Sequence, residues 1–146
     1  LPGVFEALHR LSQKGYEFII VTNQAGVGTG LMSYHALESI HDQMRKELRE
    51  NGTEILDIYA CTDAFDSGSK RRKPHPTMFF EARDKHQIDL AECYYVGDDP
   101  RDVLAAYNAG MKSIYVGDPL RLEELPLEKS PTFVAHSLLE ASKFLN

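Results

Sequence analysis

Tyr94-Tyr95-Val96-Gly97-Asp98-Asp99-Pro100-Arg101-Asp102 passes from a short apolar run into a glycine, then three carboxylates spread around a proline. Few backbones accept that order. A strand buried on both faces is followed by a tight turn and a proline-led helix, and polar groups gather at the turn. Phe18-Ile19-Ile20-Val21-Thr22-Asn23-Gln24 repeats the step, ending in hydroxyl and amide groups instead of carboxylates. A lysine stands later in the chain at Lys73-Pro74-His75-Pro76. Two strand ends and a lysine, with oxygen, amide and ammonium groups between them, point to phosphate chemistry supported by a divalent cation.

The rest of the chain supplies the frame. Val4, Ala7, Leu8 and Leu11 share a helical face that Pro2 can open and Gly15 can end, and a strand over Glu17 to Thr22 follows. Gln24 to Gly30 reads as a glycine-containing loop. Ser33 then caps a helix whose buried line is Leu37, Ile40, Met44 and Leu48. Ile55 to Cys61 is the next strand, Asp63 to Arg72 a loop, and Pro76 starts a helix carrying Phe79, Ala82 and His86 toward the core. A strand over Cys93 to Val96, a helix from Pro100 to Ala109 and a strand over Ser113 to Val116 continue the alternation. Leu120 to Leu125 is a short helix, Thr132 to Ala135 an edge strand, and Ser137 to Phe144 a closing helix. Repeated βα units with right-handed crossovers give an α/β, three-layer Rossmann-like fold with an open, mostly parallel sheet. Ligands bind such sheets beyond the carboxyl ends of the strands.

Composition narrows the function classes. At 146 residues, 42% apolar and 26% charged, residues 1–146 fit one domain with no room for a large cap. The net charge of -6 excludes an obligate nucleic-acid surface, since neutralising backbone phosphates needs a basic field. The basic cluster Lys70-Arg71-Arg72-Lys73 is either a solvated loop or a local attraction for an anionic substrate. No apolar run nears the roughly 20 residues of a membrane helix, so no membrane partner and a cytoplasmic location are expected. Cys61 and Cys93 are too far apart for a CxxC motif. Gly26, Gly28 and Gly30 do not form a GxGxxG fingerprint, and no GxxxxGK[ST] loop occurs.

Each chemical candidate has a structural alternative. Asp98, directly after Gly97, is either a Mg²⁺ ligand or a turn residue. Asp99 is either a helix cap or a second metal-facing carboxylate. Asp102 either complements the helix dipole or supports the metal or Lys73. Thr22 and Asn23 can hold phosphoryl oxygens or close a turn locally. Lys73 can neutralise the transferring phosphate, and Arg72 can clamp a second oxygen in bidentate fashion. His75, beside Lys73, either touches substrate or is a surface or helix-start histidine, the second being the default reading.

These ordered motifs make the chain resemble the haloacid dehalogenase (HAD) superfamily, in particular its histidinol-phosphatase and heptose-bisphosphate phosphatase branch. The residues carrying the resemblance are Pro2-Gly3-Val4, Val21 to Val27, Arg72-Lys73-Pro74-His75-Pro76, and Val96-Gly97-Asp98-Asp99 with Asp102. The resemblance implies a Mg²⁺-dependent hydrolase of a small phosphorylated sugar or related metabolite, acting as a monomer or weak homo-oligomer. Thr22 and Lys73 would be catalytic, Asn23, Gln24 and Arg72 would bind substrate, and Asp98 would ligate the metal, with Asp99 as a second candidate. Histidinol phosphate is the alternative substrate, and an inert phosphate-binding or regulatory domain the alternative role. Relatives of this kind carry a zinc loop. Here Cys61 remains, but Asp63, Ser69 and Arg71 stand near the other ligand places, so no zinc is expected. The family's attacking aspartate ends a first strand that has no counterpart in residues 1–146. The resemblance therefore implies a further N-terminal segment of the natural protein, without which the 146 residues are expected to be inactive.

Overall fold

The computed structural model describes residues 3–23, 34–61 and 71–145. In chain order these form α1 (Val4–Gln13), β1 (Phe18–Asn23), α2 (Tyr34–Glu50), β2 (Ile55–Cys61), α3 (Thr77–His86), β3 (Tyr94–Gly97), α4 (Pro100–Ala109), β4 (Lys112–Tyr115), β5 (Phe133–Val134) and α5 (Leu138–Phe144). Short 3₁₀ turns cover Leu90–Glu92, Pro119–Glu124 and Leu127–Lys129. Pro2, Ser33 and the loops expected over Gln24 to Gly30 and from Asp63 to Lys70 lie outside the described residues.

All strand pairing among the described residues is parallel, but it falls into two sheets. β1 pairs with β2, running from Phe18 opposite Ile55 to Asn23 opposite Cys61. β3 pairs with β4 from Tyr94 opposite Lys112 to Gly97 opposite Tyr115, and β4 pairs with β5. No ladder joins β1 to β3 among the described residues. Between them runs an apolar slot of about 720 Å³, whose walls include Ile19 and Val21 of β1, Tyr94 and Val96 of β3, and Leu8 and Leu48 from the helices. The open mostly parallel α/β sheet is present, interrupted where a central strand would lie.

Alternation along the strands sorts the core into two faces. Tyr94 and Val96 pack toward Leu11, Ile114, Ala135, Ala141 and Leu145, where α1 and α5 cover the sheet. Val21 and Tyr95 face Phe79, Leu90 and Ala105, contributed largely by α3 and α4. Helices on both faces are what the apolar strands require. Lys14 holds α1 to the end of α5 by donating to the carbonyls of Ser142 and Leu145, which closes C-terminal groups a helix leaves unpaired.

His86 turns inward as its helical spacing predicts, with its side chain 15% exposed; its Nε2 lies 2.8 Å from Oδ2 of Asp57 on β2, and Lys85 donates to the same oxygen at 2.9 Å. The Ile58 N–H supplies a further bond to Asp57. Burial opposes ionisation of Asp57, but these hydrogen bonds outweigh it and hold the carboxyl well below its ordinary value of 3.8. Asp57→Asn is expected to cost about 1–2 kcal/mol at pH 7, discounted for the exposure of Lys85. Because the folded pKa is depressed, the contribution is complete above pH 4–5 and is lost as pH falls below about 4. Chemical denaturation of both proteins at pH 7 and pH 3 checks this, since the gap between them should narrow at the lower pH.

Candidate active site

β1 and β3 end at the same edge, as consecutive βα units demand, and the chemistry-bearing groups collect there. Thr22 is half-buried near the end of β1, followed by Asn23 as its last residue. Gln24 lies outside the described residues. At the end of β3, Asp98 is exposed in the turn before α4.

Asp99 and Asp102 build that turn. Asp99 has extended backbone and accepts from the Arg101 N–H at 2.9 Å, while Asp102 Oδ2 accepts from the Asp99 N–H at 3.2 Å. This reciprocal capping box, with Pro100 at the first helical position, fixes the start of α4. Asp99 also pairs with Arg101 Nε at 3.1 Å and with Arg121 Nη2 at 3.2 Å. Burial raises its pKa, but bonding to the Arg101 side chain and N–H, then to Arg121, outweighs burial and holds the carboxyl down at about 2. Of its two sequence readings, the cap is the one the geometry displays, and the arginines occupy the oxygens that a metal would use.

Asp102 reaches the lysine. Lys73 Nζ donates to Asp102 Oδ1 at 2.5 Å, with both side chains largely buried at 11% and 9% exposure. The approach depends on Gly97, because a Cβ there would lie 2.3 Å from Asp102 Oδ2 and 2.5 Å from its Cβ. Gly117 serves the opposite wall, where a Cβ would meet the Asp98 carbonyl oxygen at 2.4 Å. The loop after β4 therefore packs directly against the Asp98 turn.

The lysine segment is clamped from several sides. Arg71 makes a two-pronged bond to Glu81 of α3 at 2.7 and 2.8 Å, and Asn108 of α4 donates to the Pro74 carbonyl at 3.0 Å. Arg72 is half-buried beside Lys73, and His75 is exposed. Sequence reasoning missed Glu81, Asn108, Arg121 and Tyr95. Tyr95 donates to the Val21 carbonyl at 2.7 Å and accepts from Lys73 Nζ at 2.9 Å. Its signal was present in the paired tyrosines of β3, since adjacent strand residues face opposite ways and one of the two hydroxyls must reach toward the lysine side.

Thr22, Lys73 and Asp98 thus belong to one strand-end region, linked through Val21, Tyr95 and Asp102. The donor chemistry fits Mg²⁺, which takes one or two carboxylates and completes its shell with water and phosphate oxygens. Asp98 is the exposed carboxylate of the turn, whereas Asp99 and Asp102 are held by cations. Among the described residues no cluster of three or more His, Cys, Asp or Glu forms a closed metal cage. Cys61 is buried and Cys93 half-buried, and neither forms a disulfide.

Residues 70–141 match the HAD-hydrolase-like family model. Over 110 residues the chain is 37% identical to the D-glycero-beta-D-manno-heptose-1,7-bisphosphate 7-phosphatase of Bordetella bronchiseptica, a match spanning 75% of this chain and 62% of that protein. The enzyme of the same name from Escherichia coli O6:H1 is 31% identical, with 96% of this chain and 77% of that protein aligned. Among solved structures, the B. bronchiseptica D,D-heptose 1,7-bisphosphate phosphatase complexed with magnesium and phosphate superposes with a TM-score of 0.89 at 33% identity, covering 99% of this chain and 82% of that one. The corresponding phosphatase from Burkholderia thailandensis gives 0.74 at 27% identity, with coverage of 100% and 86%. The chain therefore spans less than two thirds of the first of these relatives and more of the others.

Proposed function

The chain belongs to the HAD-hydrolase-like family, in the branch of the heptose-bisphosphate phosphatases, and on that premise we propose that the protein hydrolyses a phosphomonoester of a small phosphorylated sugar with Mg²⁺. The observation that carries the reading is the buried Lys73–Asp102 pair at the strand-end edge, beside the exposed Asp98 turn. That edge offers a fixed positive charge and an oxygen ligand on one small area, which is what a transferring phosphoryl group requires.

In this reading Thr22 and Asn23 hold phosphoryl oxygens at the end of β1, with Gln24 continuing the contact toward substrate. Lys73 offsets charge on the equatorial oxygens, and Arg72 receives the distal part of the sugar phosphate. Asp98 would hold Mg²⁺, which supplies Lewis-acid polarisation of the phosphoryl oxygens when bound. Asp99 acts in the cap and the arginine pairs. The attacking group is an aspartate on a strand seated in the slot between β1 and β3. Two findings support that placement: the slot is walled by two strand edges, and Asp99 and Asp102 are already held by cations. Attack of the aspartate carboxylate on phosphorus would break the bond from phosphorus to the sugar oxygen, which takes up a proton and leaves as the alcohol. Water then attacks the aspartyl-phosphate, restoring the carboxylate and freeing inorganic phosphate. On this account residues 1–146 are a phosphatase core that lacks its central strand. Among the described residues no loop forms a large lid, which suits a small phosphorylated metabolite.

Phosphate release from heptose bisphosphates, histidinol phosphate and hexose phosphates, measured with and without Mg²⁺, tests the reading on protein carrying the slot-filling strand. Heptose bisphosphate should be turned over fastest, and no Mg²⁺-dependent release from any of the three would overturn the proposal. Asp98→Asn should raise the Mg²⁺ concentration for half-maximal rate by about tenfold, together with a lower maximal rate, as expected for loss of a charged ligand. An unchanged Mg²⁺ dependence would remove Asp98 from the metal site.

A further inference from the structure

We propose that Tyr95 is a positioning residue of the phosphate site, its hydroxyl fixing the Lys73 ammonium to the end of β1. This rests on the phosphatase reading and adds to it a residue outside the four motif segments. The geometry is a continuous run of hydrogen bonds. Tyr95 donates to the Val21 carbonyl at 2.7 Å, Lys73 Nζ donates to the Tyr95 oxygen at 2.9 Å and to Asp102 Oδ1 at 2.5 Å, and Asp102 Oδ2 accepts from the Asp99 N–H at 3.2 Å. Val21 immediately precedes Thr22, and Asp99 immediately follows Asp98. The run therefore ties the hydroxyl-bearing strand end, the lysine and the carboxylate turn to one another across the slot.

Two features make the phenol suited to this work. Its ring is held edge-on against Phe79, with centroids 4.8 Å apart and planes at 73°, so the hydroxyl projects from a packed base. Burial, with the charges of Asp102 and Asp98, pushes the phenol pKa further above its ordinary value, so the group keeps its proton and always donates toward Val21. The Tyr95 oxygen is thereby left to accept from Lys73, and two of the ammonium's donor directions are set by Tyr95 and Asp102. Phosphate then meets a charge of fixed direction instead of a side chain that must be ordered during binding, and that pre-ordering is a gain in affinity.

Tyr95→Phe keeps the ring and removes the hydroxyl. With Mg²⁺ present, its affinity for inorganic phosphate should fall about five- to tenfold, the scale of one ordinary hydrogen bond, while the thermal midpoint stays within a few degrees. The Lys73 ammonium gives a second readout through its ¹H–¹⁵N resonance, assigned by its loss in Lys73→Arg. It should be visible in the wild-type protein with a cross-peak to the Tyr95 ring, and should broaden or shift in Tyr95→Phe. Wild-type protein without that cross-peak would overturn the proposal, whatever the variant does. Phosphate affinity within twofold of wild type in Tyr95→Phe, while Lys73→Met abolishes binding, would overturn the role of Tyr95 and leave the phosphatase reading intact. Reduced affinity with an unchanged ammonium resonance and a lowered midpoint would assign Tyr95 to packing alone, again against the proposal. No phosphate binding by the wild type would overturn both readings together.

Discussion

Lys73→Ala is expected to lower Mg²⁺-dependent phosphate release by about 100-fold or more, the scale of losing one electrostatic donor aimed at the transition state. The loss should fall chiefly on kcat if the ammonium meets charge that develops during transfer. The substitution also strands Asp102, whose residue is only 6% exposed and whose carboxylate would keep the Asp99 N–H but lose its cation. Breaking a buried pair from one side costs about 3–5 kcal/mol, so stability falls as well. Lys73→Ala combined with Asp102→Asn separates the two effects. The double variant should recover part of the denaturation midpoint and none of the activity. Recovery of activity would show that Lys73 serves the fold alone.

Gly97→Ala should be as damaging without touching any charged group. Its added methyl would sit 2.3 Å from Asp102 Oδ2, closer than nonbonded atoms approach. Asp102 cannot yield easily, because its backbone belongs to the first turn of α4 and its carboxylate bridges Lys73 and the Asp99 N–H. Either the helix start retreats or the lysine pair breaks. The expected cost is about 3 kcal/mol, from overpacking added to a weakened buried pair, with phosphate release near the background rate. Denaturation curves and the Mg²⁺ assay report the two losses. A variant of wild-type stability and activity would mean that the close approach of Asp102 to Gly97 is not present in solution.

Order and periodicity made most of the fold legible. The four apolar residues from Phe18 to Val21 and the run before Gly97 set the strands, while Pro100 and Gly110 framed α4 to the residue. Lys73 and Asp98 could be associated because both stood at polar interruptions between apolar segments. What the sequence did not disclose was partnership across distance. Asp99 reads locally as a cap or a metal ligand, and only folding brings Arg121 to it from 22 residues away. His86 has the spacing of a core residue and is largely buried, but only folding supplies the Asp57 carboxylate on β2 that pairs with it there. Tyr95 is apolar by any periodicity measure, and its hydroxyl acquires meaning only when Val21 and Lys73 arrive from other elements.

The slot between β1 and β3 bears on cooperativity. No backbone ladder joins the two sheets among the described residues, so the β1–β2 half can open without tearing backbone hydrogen bonds from β3, β4 and β5, and the reverse also holds. Helix packing and the Tyr95 link are what the two halves share across the gap. A strand paired to both edges converts two partly independent folding units into one. The proposed nucleophile would then ride on the element that makes unfolding all-or-none, and a molecule able to attack phosphorus would also be one whose two halves rise and fall together.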